Sequence, residues 1–312
     1  MLRFAFRKLV QGAAMIIVVS ALAFILLSSA GGDAFSTLRD NPQISETTIE
    51  NLRSVYGLDQ PIAIRYASWL ANALRGDLGE SFAFRVPVGP LAFARFLNTA
   101  MLAVAAFIFA ALTSLLLAIF STRFEGRILS ATVELLILLT ASTPRVVLAL
   151  IALFLSLRFG FVFPESGGFS LFQFGAIVGA LALPLVSIYL AQLKSGLAEA
   201  MNEDFTRLAR AKGLGEWQII TRHAMRPVLN PFLTLAGLSF GGLLGGSVIV
   251  ETVLGWPGIG ALMVAAVRGR DVLLVMGIVV IASIAVWLAN AAAEFLQLVN
   301  DKRLREGVIG QP

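Results

Sequence analysis

Residues 227–250 read PVLNPFLTLAGLSFGGLLGGSVIV, a run without one charged side chain. They follow a loop, 194–226, that reads KSGLAEAMNEDFTRLARAKGLGEWQIITRHAMR and carries six basic residues. A helix crossing about 30 Å of hydrocarbon needs about 20 apolar residues, so the first stretch is long enough to span a bilayer and the second is its polar flank. Working outward, four more charge-free runs stand out: Leu9–Gly32, Phe96–Thr122, Ser166–Leu193 and Val272–Ala293. A further stretch, Ile128–Leu157, is interrupted only by Glu134 and Arg145. The sequence therefore predicts an all-α membrane protein with six transmembrane helices.

The first run also has features of a cleavable signal sequence, because Arg3, Arg7 and Lys8 precede it and Ser28, Ser29 and Ala30 close it. Its apolar core, about 20 residues, exceeds the 7–15 of a signal peptide, so it reads as the first span.

Composition agrees. Of 312 residues, 58% are hydrophobic and 14% charged, with a mean hydropathy of +0.85, which excludes an ordinary water-soluble domain. The net charge of +5 is too thinly spread over so apolar a chain to make a nucleic-acid-binding face; its basic residues are topology signals. There is no cysteine, hence no disulfide or thiolate metal site, and the single histidine, His223, cannot build a multi-histidine site.

Orientation follows from basic residues in the connecting segments. With the N-terminus inside, the inner segments (1–8, 121–129, 194–226 and 294–312) hold 14 Lys/Arg, while the longer outer ones (33–95, 158–171 and 251–271) hold 9. Both termini are thus expected in the cytoplasm of a bacterial inner membrane. The chain divides into an N-terminus and first helix (1–32), an extracytoplasmic segment (33–95), a transmembrane core (96–298) and a tail (299–312). The outer segment mixes seven acids with six arginines. It is expected to be ordered, with a helix over Thr47–Tyr56 and an amphipathic helix over Ile62–Leu74 ending at Gly76, whose Tyr66 and Trp69 suit a membrane interface or a partner.

The inner loop 199–226 parses as a helix to about Lys212, a turn at Gly213-Leu214-Gly215, and a second helix from Glu216. Glycine supplies the left-handed conformation that ends a helix, and Arg207, Arg210 and Lys212 suit the negative end of its dipole. Phe205, Leu208 and Ala209 share one face by spacing. A short amphipathic helix below a membrane is a docking element, or else a hairpin lying on anionic headgroups.

The segment resembles the EAA loop of ABC-transporter permeases, in particular the first (B-type) subunit of the dipeptide/oligopeptide permease family. The residues that carry this are Asn202, Glu203, Asp204, Phe205, Arg207, Ala209-Arg210-Ala211-Lys212-Gly213-Leu214 and Arg222-His223-Ala224-Met225-Arg226. Further matches are Tyr56-Gly57-Leu58-Asp59-Gln60-Pro61 with Arg75-Gly76-Asp77-Leu78-Gly79, Gly255-Trp256-Pro257-Gly258-Ile259-Gly260 with Arg270-Asp271, and the tail Asp301-Lys302-Arg303-Leu304-Arg305. Arg207 stands where the general EAA pattern has an acid, in keeping with the peptide subfamily; Lys302 stands where a proline is usual, and no function is attached to that change. The resemblance spans the chain. It implies a type I ABC importer permease, paired with a second homologous permease as a heterodimer, with two ATP-binding subunits below and an extracytoplasmic solute-binding protein above. It also implies that residues 203–214, including Leu208, with Arg222 and His223, form the coupling loop to the ATPase. No G-x-x-x-x-G-K-[ST] phosphate loop occurs in the sequence, so ATP and Mg are expected on the partner subunits, with no cofactor, metal or catalytic residue in this one.

Ionisable residues inside spans are functional candidates by default. Arg145, placed near the middle of the third span after Pro144, is a candidate to line an aqueous pathway and meet a substrate carboxylate; the alternative is a structural pair with Glu134, Glu251 or Glu294. Glu134, eleven residues away on one helix, would lie about 16 Å distant and is too far. Glu251 is the second pathway candidate. Pro184 should bend the fourth span. Gly237, Gly241 and Gly245, with Gly242 and Gly246 one step round, read as a helix-packing face or a subunit seam, against the alternative of a substrate-contact strip. Two other functions stay open: an ion-gradient-driven secondary transporter, for which no inverted repeat is visible, and a membrane scaffold that transports nothing.

Overall fold

In the computed structural model the described residues are 2–29, 45, 47, 59–124, 126–161 and 168–300. Apart from Thr47, the helix expected over Thr47–Tyr56 lies outside them, as does the tail from residue 301. Among the described residues the secondary structure is helical, with one isolated antiparallel bridge between Glu80 and Pro87. The helices are α1 (Leu2–Ser29), α2 (Ile62–Ala73), α3 (Val88–Arg123), α4 (Arg127–Ser142), α5 (Arg145–Arg158), α6 (Leu171–Asn202), α7 (Asp204–Ala211), α8 (Glu216–Leu254), α9 (Ile259–Arg268) and α10 (Val272–Asn300). Five of them, α1, α3, α6, α8 and α10, are long and apolar enough to cross a membrane, and α4 with α5 makes a sixth if the pair counts as one span.

That pair departs from expectation. Pro144 does not kink one helix but separates two, which meet at 102°. The cause is local: proline has no N–H to donate and disfavours helical backbone in the residue before it, and Thr143 is extended (φ −91°, ψ 117°). Arg145 is accordingly not mid-helix; it is the first residue of α5. Pro184, by contrast, sits inside an unbroken α6.

The chain forms two compact units. In the unit of Ala100–Trp256 with Leu288–Pro312, α6 is the centre, with over half of its apolar window buried. Its start is fixed by a capping box, in which Ser170 Oγ accepts from Gln173 N (3.3 Å) and Ser170 N donates to Gln173 Oε1 (2.7 Å). Tyr189 is fully buried between Phe107 and Phe232, both edge-on. Toward its C-terminal end, Leu190, Leu193 and Leu197 pack with Ile220, Ala224 and Val228 of α8. At the other end α8 stops at Gly255, left-handed at φ +69°, and Trp256 folds back, its N–H on Glu251 O (2.9 Å) and its ring 4.6 Å from that of Phe169. The glycine and proline there do end the helix.

In the unit of Leu2–Thr99 with Pro257–Trp287, α2 is the amphipathic helix foreseen, capped at Leu74 with Gly76 left-handed. Tyr66 fastens it to α1, its hydroxyl donating to Ile17 O (3.1 Å) and sharing a hydrogen bond with Ser20 Oγ (2.9 Å). Gly12 is required where α1 meets α10, since a Cβ there would stand 2.5 Å from Trp287 Nε1. Helix α9, which the Gly/Pro-rich run hides from a sequence reading, is held by Thr99 Oγ1 accepting from Ile259 N (2.8 Å) and by Asn98 Nδ2 donating to Pro257 O (2.8 Å).

Candidate functional site

The loop 199–226 is built as a hairpin with three parts. Helix α6 ends at Asn202, and Glu203 is extended (φ −72°, ψ 154°), so the single helix expected to reach Lys212 is instead two. Thr206 secures the break: its Oγ1 donates to Ala200 O at 2.7 Å while its N–H takes Glu203 O at 3.0 Å. Helix α7 is then closed by Gly213, left-handed at φ +79°, with Gly213 N on Arg210 O and Leu214 N on Ala209 O. Arg210 crosses the turn to Glu216, Nε to Oε1 at 2.7 Å, and this hydrogen bond holds the Glu216 carboxyl below its ordinary value. Beyond it the backbone makes a π-helical turn over Ile219–Ala224, burying Ile219, Ile220 and Ala224, before the apolar stretch 227–250 begins. Such turns recur at functional positions.

The face predicted from spacing is divided. Ala209 is buried, together with Thr206, whereas Phe205 and Leu208 point outward, 41% and 57% exposed. The reason is that the packed side of α7 is set by the Thr206–Ala200 bond, one residue round the helix from Phe205. The exposed side also carries Glu203, Asp204, Arg207, Arg210, Ala211 and Lys212, and Asp204 approaches Arg207 at 3.5 Å. Arg222 and His223 are exposed, and Leu214 is half-buried. Spacing alone does not reveal the neighbouring aromatic group: Trp217, half exposed, lies 6.2 Å from Phe120, which stacks on Phe124 at 6.2 Å with Arg123 over the latter ring. A short rigid helix that shows two large apolar side chains among exposed charges can dock into a groove of a partner.

Of the pathway candidates, Glu251 is fully buried on α8. Arg145 is half-buried, and its Nη1 donates to Gly242 O at 3.1 Å. Glu134, which the sequence reading places out of Arg145's reach, is held by Lys194 Nζ at 2.8 Å, with Ser130 beside both. The glycines differ among themselves. Gly237 is buried, and a Cβ there would collide with the methyl of Ala293; Gly241 is half-buried; Gly245 is exposed with no atom within 4 Å of its Cβ position.

A cluster that the sequence reading left unassigned is Asp271, fully buried at the start of α10. Its Oδ2 accepts from Ser81 Oγ (2.6 Å) and Ala83 N (3.0 Å), and its Oδ1 from Leu274 N (3.1 Å). Arg85 and Arg270, close by in the chain, are the two non-glycine residues with left-handed backbone among those described (φ 53° and 52°). An Asp immediately before an apolar run signals a helix cap. Its reach to Ser81 does not follow from any local pattern.

Residues 114–306 match the family described as binding-protein-dependent transport system inner membrane component, and residues 1–103 match the N-terminal region of such components. The chain belongs to this permease family. Among its relatives, the oligopeptide transport system permease protein AppB of Bacillus subtilis is 29% identical, over 97% of this chain and 99% of that protein. The glutathione transport system permease protein GsiC of Salmonella choleraesuis is 28% identical, over 98% and 99% respectively. The inward-facing MetNI methionine ABC transporter shares the fold, with a TM-score of 0.56 at 17% identity over 68% of this chain and 96% of that one. The permease is thus a multi-pass membrane protein with the type I ABC importer fold, and it is the membrane component of a binding-protein-dependent transport system rather than its ATPase.

Proposed function

We propose that this permease pairs with a second, homologous permease in a bacterial inner membrane, both termini cytoplasmic, to form a passage for di- or oligopeptides or a related small solute. The transmembrane core is 96–298, and the outer segment 33–95 receives the loaded binding protein. Two ATP-binding subunits, which hold ATP and Mg, press on the loop through Glu203–Leu214, with Arg222 and His223 behind it; Arg145 and Glu251 line the path, and Gly237, Gly241 and Gly245 pack helices or form the seam between permeases. The peptide cargo is supported by the named relatives. The observation that carries the coupling role is α7 itself: Phe205 and Leu208 exposed on a short helix that is pinned at Thr206 and closed at Gly213.

A mild-detergent pull-down of the tagged chain, followed by partner identification and an ATPase assay, tests the reading. Recovery of an ATPase and a second permease is expected. Recovery of the chain alone, with no ATP hydrolysis, would overturn it and favour a gradient-driven transporter or a scaffold.

A further inference from the structure

Arg145 is the one basic residue of the sequence that falls inside an apolar run. A guanidinium at that depth calls for a counter-charge. Among the described residues it finds none: no carboxylate lies within ion-pair distance of Arg145, Glu134 being taken by Lys194, and its hydrogen bond is to the neutral Gly242 carbonyl. Four of its five N–H donors remain for another acceptor.

The structure nonetheless gives the charge a seat. Gly246, on α8, lacks the Cβ that would collide with Nη1 and stand 2.5 Å from Cζ and 3.2 Å from Nε. The glycine is therefore where the guanidinium lies, and α8 makes room for a cation that it does not neutralise. Around it the backbone is broken. The elbow of Thr143 and Pro144 is non-helical, Thr143 half-buried and Pro144 exposed. Non-helical backbone at membrane depth persists where it is buried in protein or lines water, and this chain does not bury it. Gly242 and Gly245 likewise have no atom within 4 Å of their Cβ positions. An anion that reaches Arg145 through water, and offers two oxygens to a planar fork, matches this arrangement.

We propose that Arg145, seated on Gly242 and Gly246 at the elbow between α4 and α5, is a subsite for a carboxylate of the transported solute. This rests on the reading of the chain as a peptide-importing permease. The subsite makes the passage selective for acids over their neutral counterparts, in addition to whatever selection the binding protein exerts.

The test uses the whole complex in proteoliposomes with its binding protein saturating and loaded, so that the rate reports passage and not capture. The probes are dialanine and trialanine, each as the free acid and as the C-terminal amide. Wild type is expected to carry the acid faster than the amide. In Arg145→Gln that preference falls at least tenfold, while Arg145→Lys keeps most of it. Gly246→Ala, which leaves the charge but evicts it from its seat, behaves like Arg145→Gln. Acid and amide rates in unchanged ratio in Arg145→Gln would overturn the subsite while leaving the importer intact. Failure of the Arg145→Gln complex to assemble, with assembly restored by neutralising an acid of the second permease, would overturn it in favour of a structural ion pair between subunits. Uptake of neither form by wild type would defeat the peptide-import reading, and the subsite with it.

Discussion

Removing the Asp271 carboxylate is the most direct way to ask whether the turn after α2 is fixed or merely adjacent to the last span. In Asp271→Ala three donors lose their acceptor: Ser81 Oγ, Ala83 N and Leu274 N. Ala83 is exposed, so water replaces its bond at little cost, but Ser81 and Leu274 are buried to about 1% or less. A buried donor left unsatisfied costs about 1–3 kcal/mol, so the two together predict a loss of about 4 kcal/mol in local stability. The loss of the cap on α10 is contained in the Leu274 contribution and is not added again. Hydrogen exchange of the detergent-solubilised complex reads it: amides of residues 81–88 and 273–276 should exchange about a thousandfold faster, at about 1.4 kcal/mol per factor of ten, while those of α6 stay as they were. Asp271→Asn keeps the volume and one good acceptor and should lose about half as much. Exchange within about threefold of wild type in the alanine variant would refute the reasoning, because it would mean that these bonds are already open or are replaced without loss.

Three further outcomes are expected. Gly213→Pro and Leu208→Asp should abolish substrate-stimulated ATP hydrolysis with membrane insertion intact, one by spoiling a left-handed turn and the other by charging the docking face; unchanged stimulation in both would end the coupling claim. Gly237→Val should destabilise the solubilised chain by about 1–3 kcal/mol through its clash with Ala293, whereas Gly245→Ala should be close to neutral, and melting temperatures decide between a continuous packing strip and a single contact. Because the Glu216 carboxyl is held below its ordinary value of 4.5, the Arg210 contact stabilises the hairpin above that pH and is lost as pH falls through the depressed value. The pair is close to half exposed, so the effect should be about 0.3 kcal/mol, seen as lower protection of residues 210–217 in acid once the slower intrinsic exchange at low pH is divided out, and absent in Arg210→Ala; an equal acid response in that variant would count against it.

The spans were legible because a bilayer demands long charge-free runs, and helix boundaries followed where glycine or proline changes the backbone on its own account, as at Gly76, Gly213 and Gly255. Legibility stopped where distant contacts decide. Pro144 forecast a disturbance, but the size of the bend depends on how α5 packs against α6 and α8. Glu203 is a good helix former by composition, and the break there is held by Thr206 reaching back to Ala200. Spacing grouped Phe205, Leu208 and Ala209 without knowing which side of α7 is covered. The Asp271–Ser81 bond joins residues 190 positions apart, beyond any pattern a window can see.

The break at Glu203 has a mechanical side. One extended residue between two helices is a tethered joint: it carries compression from α7 into the end of α6 and passes a twist less directly than a continuous helix would, while the bonds of Thr206 to Ala200 and Glu203 limit how far the joint can open. A body that rolls against α7 would therefore drive α6 lengthwise more than it turns it. Rotation of the long helices has its more direct route on the other side of the hairpin, where Gln218 leads into Ile219 without a break in the chain's winding and torque has an unbroken shaft to follow.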